Sequence, residues 1–208
     1  MGAEPVTTGE IEEAFLQADI AGLSPGAYEQ FLAYFTVLFR WNAQLNLTAI
    51  REPKQIIQRH FVECAFAAQH LPRDVATLLD YGSGAGLPGI PVAICRPEIR
   101  VTLGESQGKK ASFLREAVRT GGISCEVYGH RVETIPLGRQ FDAVTMRAVE
   151  KMELALPVAM QYTRRYLALF TTERSAPVSG ELSSEFTWRE PISLPEAGQR
   201  ILLIGERI

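Results

Sequence analysis

The fold of this chain is decided by the stretch Leu78-Leu79-Asp80-Tyr81-Gly82-Ser83-Gly84-Ala85-Gly86-Leu87-Pro88-Gly89. Its apolar start predicts a buried strand, which ends in three glycines at alternate positions, Gly82, Gly84 and Gly86. Glycine lets a backbone turn sharply and lets a ligand approach without a Cβ in the way. Pro88 stands where a helix would begin, a position that tolerates its missing N–H. The stretch therefore predicts a strand, a loop and a helix that cradle a nucleotide-like ligand.

After Leu71-Pro72 strand and helix patterns alternate along the chain, which predicts an α/β fold with a mostly parallel sheet covered by helices on both faces. The predicted strands are Thr77–Tyr81, Ile99–Gly104, Ile123–Tyr128, Phe141–Met146 and Tyr166–Thr171. The predicted helices are Pro88–Cys95, Gly108–Thr120 and Val149–Thr163. Two last strands, Phe186–Ile192 and Arg200–Ile204, are too close together for a crossover helix and should pair as a hairpin. The stretch 172–185, rich in Ser, Glu, Pro and Gly, predicts an exposed loop.

Residues 1–72 predict a helical extension packed on a core of residues 73–208. A capping box at Thr7-Thr8-Gly9-Glu10 opens a first helix that Gly22 should end, and Ser24-Pro25 opens a second, longer helix. A further helix is predicted over Lys54–His70. Between these helices Asn42 and Asn46 lie among apolar residues, where amide side chains need partners. They would either hold a turn or face a ligand.

Composition limits the classes of function. The 208 residues carry a formal net charge of −3, which argues against generic, charge-driven binding of nucleic acid but allows a local basic face. The three cysteines are scattered and show no metal-ligand spacing, so no metal site is predicted and a reducing cytoplasm suits them. No apolar run has the length of a membrane span, and no signal-peptide pattern opens the chain. We therefore expect a cytoplasmic protein.

The residues around the glycines distinguish between two nucleotide chemistries. A dinucleotide fingerprint requires Gly-x-Gly-x-x-Gly, but Leu87 stands where its third glycine would be. No Gly-Lys-Ser/Thr follows, so a phosphate-binding loop and an NAD-dependent oxidoreductase are both disfavoured. Glu105 ends the second strand, where a carboxylate can accept both hydroxyls of a ribose. An adenosine ligand without phosphates indicates S-adenosylmethionine.

With these residues placed, the chain resembles the RsmG/GidB family of bacterial methyltransferases, which modify guanine N7 in small-subunit (16S) ribosomal RNA. The resemblance runs from Trp41 to about Leu169. It rests on these motifs: Trp41-Asn42, Asn46-Leu47-Thr48, Arg59-His60, Gly82 to Pro91, Arg96-Pro97, Gly108-Lys109-Lys110, Phe113-Leu114, Arg131-Val132-Glu133 and Arg147-Ala148. It implies a class I methyltransferase fold (Rossmann-like) with added N-terminal helices, and a protein that acts on ribosomal RNA or the small ribosomal subunit. We expect a monomer.

The resemblance also implies roles for particular residues. The cofactor site would consist of Gly82, Ser83, Gly84, Gly86, Leu87, Glu105, Ser106, Arg131, Val132, Glu133 and Arg147. In it Glu105 replaces the usual aspartate and would hold the ribose, and Arg131-Val132-Glu133 would lie by the adenine. The catalytic group would be Arg147, Asn46 and His60, which would face the region where methyl donor and target base meet.

Two hypotheses concern the RNA. Arg147 would donate a hydrogen bond to guanine O6 and leave N7 free; alternatively it closes the end of a strand through backbone carbonyls. The residues Lys109, Lys110, Arg115 and Arg119 crowd one helix and would contact RNA phosphates; alternatively they form a solvated surface.

Besides Glu105, the chain departs from the family pattern at three places. After the fifth strand it has Leu169-Phe170-Thr171-Thr172 where the family commonly shows Lys-Gly, and Glu63 and Cys64 replace the usual Asp and Ser. A small-molecule methyltransferase and a non-catalytic protein that binds S-adenosylmethionine or RNA are therefore kept as alternative functions.

Overall fold

The computed structural model describes residues 6–136, 138–149, 151–172, 185–195 and 198–208. The helices are α1 (Thr8–Gln17), α2 (Pro25–Leu45), α3 (Pro53–Ile56), α4 (Glu63–His70), α5 (Gly89–Cys95), α6 (Gly108–Gly121) and α7 (Met152–Tyr162). The strands are β1 (Thr77–Tyr81), β2 (Arg100–Gly104), β3 (Cys125–Tyr128), β4 (Phe141–Arg147), β5 (Thr163–Thr172), β6 (Phe186–Trp188), β7 (Ile192–Ser193) and β8 (Arg200–Arg207). Nearly all of the predicted loop 172–185 lies outside these residues.

The strands form one sheet in the order β3-β2-β1-β4-β5-β8-β6, with β7 paired to β8. The first five strands in this order are parallel, while β8 runs antiparallel to β5 and to both β6 and β7. The mostly parallel sheet and the final antiparallel pairing are both confirmed. Because β1 lies in the middle, the loops that follow β1, β2 and β4 meet at one edge of the sheet.

Both faces of the sheet are covered. Leu78 and Leu79 are adjacent in β1 and point to opposite faces, as successive residues of a strand do. Leu78 packs with buried residues of α1, α2, α4, α5 and α6, among them Phe31 of α2, and with Phe61, which lies between α3 and α4. Leu79 packs with Leu156 of α7 and with residues of β4, β5, β6 and β8. The helices before β1 thus belong to the same hydrophobic core as one face of the sheet.

Several element ends differ from the sequence prediction. The capping box of α1 is present, but the helix ends at Gln17, before the predicted stop at Gly22. Helix α2 continues to Leu45, because Trp41 packs edge-on against Phe113 and its indole N–H donates to Glu116 of α6 at 2.8 Å. Helix α7 is shorter than predicted, and the chain enters β5 directly at Thr163.

The predicted helix over Lys54–His70 contains a π-helical segment, Ile57–Val62, between α3 and α4. Such wide turns inside helices are frequent at functional sites. Here the carbonyl of Arg59 accepts a hydrogen bond from Arg147 at the end of β4, 2.9 Å away. The sequence pattern alone gave no indication of this segment.

The start of α5 is tightly packed against β1 and β2. The Gly89 N–H donates to Asp80 Oδ2 at 3.2 Å, and Asp80 Oδ1 accepts from Thr145 Oγ1 at 2.8 Å. A Cβ on Gly89 would lie 2.4 Å from Leu103 Cδ2 and 2.8 Å from Asp80 Oδ2. The residue at this position must therefore lack a side chain.

We expect Gly89→Ala to lower the free energy of unfolding by about 1–3 kcal/mol, the usual cost of overpacking a core. Urea denaturation of the purified variant measures this change. Gly108→Ala at the start of α6 is the matched control, since a Cβ there has no atom within 4 Å and alanine favours the helix. Equal stability of the two variants would contradict the packing argument.

Candidate active site

A cleft of about 530 Å³ opens at the sheet edge where the loops after β1, β2 and β4 meet. Its lining residues are Leu47, Thr48, Ala49, His60, Tyr81, Gly82, Ser83, Gly84, Ala85, Leu87, Glu105, Ser106, Gln107, Lys110, Arg147, Ala148 and Val149. The walls therefore come from the segment after α2, the π-helical segment, the glycine loop, the start of α6 and the end of β4. Most of the predicted cofactor residues and two of the three predicted catalytic residues meet here.

The glycine loop forms the floor of this cleft. Gly82 and Gly84 have φ of +71° and +54°, a backbone conformation that L side chains rarely adopt. The loop is held from below, since Ser83 N–H donates to the Gly104 carbonyl and Ser83 Oγ donates to the Asp80 carbonyl. Tyr34 of α2 is fully buried and donates to the Ala85 carbonyl at 2.5 Å. The loop is thus fixed in place from both the sheet and the N-terminal helices.

Gly86 has a different position from its two neighbours. It does not line the cleft, and a Cβ added there would lie 2.5 Å from Ile90 Cδ1 and 3.1 Å from Leu114 Cδ2. The geometry therefore gives Gly86 a packing role between the loop and helices α5 and α6, and its predicted contact with a cofactor has no geometric support.

Glu105 connects the loop after β1 with the loop after β2. Its Oε2 accepts from the Gly84 N–H at 3.0 Å and its Oε1 accepts from the Gln107 N–H at 2.7 Å. Each carboxylate oxygen has two lone-pair sites, so both can accept a further hydrogen bond from a ligand. The residue is buried but lines the cleft, a suitable position for receiving two ribose hydroxyls.

A smaller cavity of about 140 Å³ extends the cleft beyond Glu105. It shares Tyr81, Gly82, Glu105 and Ser106 with the larger cleft and adds Gly104, His130, Arg131, Val132 and Glu133. Burial and the neighbouring Glu133 raise the pKa of Tyr81 to about 12, so its hydroxyl stays protonated and donates to Glu133 at 3.4 Å. The predicted adenine-side residues thus adjoin the predicted ribose-binding carboxylate.

Arg147 ends β4 and forms the opposite wall. Its Nη2 donates to the Arg59 carbonyl at 2.9 Å and to Glu63 Oε2 at 3.3 Å, and it lies 3.1 Å from His60 Nδ1. Its Nη1 donates to Cys64 Sγ at 3.1 Å. Burial raises the pKa of the Cys64 thiol to about 12, so this acceptor is neutral. Most contacts of the guanidinium therefore fit the structural alternative, in which the arginine closes the end of a strand. The side chain nevertheless also lines the cleft.

His60 forms part of the cleft wall, although it is largely buried. Its Nε2 is 2.7 Å from Thr48 Oγ1, and its Nδ1 is 3.0 Å from the Arg59 carbonyl. Burial and the adjacent positive charge of Arg147 lower its pKa from the usual 6.5 to about 3. The imidazole is thus neutral at physiological pH and holds the segment that carries Thr48 against the cleft.

This pKa predicts a pH-dependent stability. The unfolded chain takes up a proton on His60 below about pH 6.5 and the folded chain does not, so stability is lost as the pH falls toward 3. Between pH 7 and pH 5 we expect the wild type to lose about 2 kcal/mol more unfolding free energy than His60→Gln. Urea denaturation of both proteins at the two pH values measures this difference, and parallel pH profiles would contradict it.

Asn42 and Asn46 stabilise the end of α2. Buried Asn42 accepts from the Thr48 N–H at 2.8 Å and donates to the Ile50 carbonyl at 3.1 Å, so it holds the turn, one of the two predicted roles. Asn46 caps α2 with φ +48°, is exposed, and accepts a short hydrogen bond from Arg51. It does not line the cleft, so its catalytic role remains a prediction that the geometry does not support.

The four basic residues of α6 do not share one surface. Lys110 lines the cleft, whereas Lys109, Arg115 and Arg119 line neither of its two cavities. The guanidinium of Arg115 lies close to Gly129, beyond β3. Of the four residues predicted to contact RNA phosphates, one therefore lies in the cleft and three lie outside it. The contact of all four with RNA remains a prediction.

Several residues of the site were not predicted individually. Thr48 and Leu47 belong to the motif in which Asn46 was the predicted site residue, and Gln107 and Val149 carried no signal of their own. Glu63 was noted as a departure from the family pattern, but its contact with Arg147 was not predicted. Their proximity depends on contacts between distant segments. Within the described ranges, no group of three or more His, Cys, Asp or Glu side chains is arranged to hold a metal ion.

The chain is similar in sequence and in fold to known proteins. A family model described as rRNA small subunit methyltransferase G matches residues 27–171. The Ribosomal RNA small subunit methyltransferase G of Stenotrophomonas maltophilia (strain K279a) is 38% identical over 188 residues, 88% of each chain. Its counterpart in Xylella fastidiosa (strain M23) is 41% identical over 149 residues, 71% of this chain and 68% of that one. Among solved structures, a putative O-methyltransferase from Klebsiella pneumoniae is similar in fold, with a TM-score of 0.64 at 14% identity over 95% of this chain and 96% of that chain.

Proposed function

Because this chain belongs to the rRNA small subunit methyltransferase G family, we propose that it methylates N7 of a guanine in small-subunit (16S) ribosomal RNA. It is an S-adenosylmethionine-dependent methyltransferase with a class I fold, as the resemblance implied. One observation carries the proposal: the glycine loop, Glu105 and the pair Arg147 and His60 line a single cleft. The choice of N7 is the part that requires a direct test.

The cleft fits S-adenosylmethionine. Its floor consists of backbone at Gly82 and Gly84 with no Cβ, and Glu105 presents two carboxylate oxygens beside it. No lysine follows the glycines to bind a pyrophosphate. When bound, S-adenosylmethionine supplies a methyl group on a positively charged sulfur. In our proposal Glu105 and Ser106 hold the ribose, and Arg131, Val132 and Glu133 adjoin the adenine.

The residues opposite the glycine loop need only orient the base. Guanine N7 has an in-plane lone pair and no proton, so no general base is required, and alignment can contribute up to about 10 kcal/mol. His60 suits this requirement because its lowered pKa keeps it neutral and its contact with Thr48 fixes the cleft wall. Arg147 is the donor that we assign to guanine O6, on the same edge as N7.

The proposed substrate, ribosomal RNA, also indicates where the protein acts. No helix among the described residues is long and apolar enough to cross a membrane. We propose that the protein acts in the cytoplasm as a monomer on ribosomal RNA or on the small ribosomal subunit. We further propose that residues 1–72 form an extension of the catalytic core 73–208, an arrangement supported by the contribution of Thr48 and His60 to the cleft.

A methyl-transfer assay with labelled S-adenosylmethionine tests the proposal. Parallel reactions contain naked small-subunit rRNA, assembled small subunits or no RNA, and the products are digested to nucleosides. We expect label only in 7-methylguanosine. Turnover without RNA would indicate the small-molecule methyltransferase, cofactor binding without any turnover would indicate the non-catalytic protein, and label in another nucleoside would contradict N7.

A further inference from the structure

Three arginines converge on one buried carboxylate beside the cleft. Glu63 of α4 is 1% exposed and pairs with Arg147 from β4 at 3.3 Å, with Arg59 of the π-helical segment at 3.5 Å, and with Arg200 at the start of β8 through a short contact. The three arginines come from parts of the chain that are distant in sequence. We call Arg59, Arg147, Arg200 and Glu63 the arginine cluster.

The positive charge of the three arginines exceeds the negative charge of Glu63. Among the described residues, Glu63 is the one carboxylate within 4.0 Å of these three guanidinium groups, which leaves a local excess of two positive charges. The buried Nε of Arg200 has no hydrogen-bond partner in the described part of the chain, and the buried Nε of Arg59 makes no hydrogen bond there but faces Glu63 Oε1 at the ion-pair distance of 3.5 Å. Burial, together with the neighbouring Arg59 and Arg147, lowers the pKa of Arg200 from its usual range. Such a cluster favours an anionic ligand.

Exposure within the cluster increases away from the cleft. The side chain of Arg147 is 13% exposed, that of Arg200 is 26% exposed and that of Arg59 is 43% exposed. Arg200 and Arg147 lie near each other at the sheet edge, since they pair in register with Thr172 and Phe170 of the same strand, β5. A ligand that reaches the cleft along this side therefore meets Arg59 and Arg200 first.

We propose that Arg59 and Arg200, held on Glu63 beside Arg147, bind a phosphodiester group of the substrate RNA next to the guanine that enters the cleft. The proposal rests on the proposed function, because it takes RNA as the substrate. A guanidinium fork matches the geometry of two phosphate oxygens, and its charge persists at all physiological pH values. With a net charge of −3 on the whole chain, RNA affinity depends on such local groups.

Salt-dependent RNA binding tests this site. The binding constant of Arg59→Ala and of Arg200→Ala for naked small-subunit rRNA is measured from low to physiological salt. We expect the slope of log binding constant against log salt to fall by about 0.7–0.9 for each lost phosphate contact. The KM for RNA should rise about tenfold at fixed salt, while the Kd for S-adenosylmethionine stays unchanged. Arg59→Lys and Arg200→Lys keep the charge and should keep most of the slope.

Arg189→Ala is the control, since Arg189 pairs with Glu206 on the surface and lies outside the cluster. If thermal unfolding shows that one alanine variant does not fold, the salt slopes of its lysine counterpart and of the other alanine variant test the site instead. An unchanged salt slope in both alanine variants, or an equal fall in the control, would overturn the site while leaving the proposed function intact. Absence of any RNA binding by the wild type would overturn both, and the methyl-transfer assay reports on the function independently.

Discussion

Arg147→Ala is expected to lower kcat for methyl transfer to small-subunit rRNA by about 100-fold or more, the scale on which a positioned donor contributes to catalysis. The guanidinium lines the cleft and carries five N–H groups, more than its four contacts with Arg59, His60, Glu63 and Cys64 use. Alanine removes both the proposed contact with guanine O6 and the group that joins β4 to α4. Single-turnover methylation with saturating cofactor measures the effect.

Two further variants separate these roles of Arg147. Arg147→Lys keeps the charge but has no planar fork for several acceptors, so we expect at most partial recovery. Arg164→Ala, which removes an exposed pairing with Asp142 at the other end of the sheet, should leave methyl transfer unchanged. In our proposal the ribose and adenine are bound elsewhere in the cleft, so the Kd for S-adenosylmethionine should change by no more than about threefold in all three proteins. A larger loss of affinity in Arg147→Ala would support its predicted place in the cofactor site instead. Wild-type methyl transfer by Arg147→Ala would show that the O6 hypothesis is wrong.

The order of strands and helices could be predicted because local patterns determine it. Strand β1 begins and ends at the predicted residues, Thr77 and Tyr81, since its apolar run is bounded by the glycine loop. The errors lie at the ends of helices and strands, because contacts with residues distant in sequence determine where an element ends. Helix α2 extends through Trp41 because α6 supplies Glu116 as a hydrogen-bond acceptor, and nothing near Trp41 in the sequence indicates this.

The site could be predicted only where one motif supplies neighbouring residues. Gly82, Ser83, Gly84 and Glu105 line the cleft as expected, because they follow two adjacent parallel strands. Gly86 belongs to the same motif but faces α5 and α6, a difference that depends on side-chain packing rather than on spacing. The arginine cluster was missed for the same reason, since Arg200 is separated from Glu63 by 137 residues along the chain.

The structure shows what replaces the family's Lys-Gly after the fifth strand. Phe170 stands in β5 directly beside Arg147 of β4, and its ring centroid lies 5.8 Å from the Arg147 guanidinium carbon. A cation near an aromatic face is stabilised by about 0.5–2 kcal/mol. In this chain an aromatic ring therefore contacts the arginine at the place where a lysine was expected. The three guanidinium groups of the arginine cluster lie beside this position, so positive charge is present there without the Lys-Gly.

Glu105→Ala is expected to weaken binding of S-adenosylmethionine by about 100-fold or more, since each hydrogen bond to a charged acceptor contributes about 1.5–3 kcal/mol. In our proposal its two oxygens accept both ribose hydroxyls, and they also hold the N–H groups of Gly84 and Gln107. Alanine removes the ribose contacts and loosens the glycine loop. Isothermal titration calorimetry with the cofactor in the absence of RNA measures the change.

Two other substitutions show whether this effect belongs to the ribose. Glu105→Asp keeps a carboxylate and restores the residue usual in the family that the chain resembles, so affinity should remain within about tenfold of the wild type. Glu126→Ala removes an acid of the neighbouring strand β3 whose partner is Arg139 and which lies outside the cleft, so binding should not change. Competition of adenosine and of 2′-deoxyadenosine with S-adenosylmethionine tests the ribose contact directly. The wild type should prefer adenosine and Glu105→Ala should not, whereas the same preference in both proteins would place the ribose elsewhere.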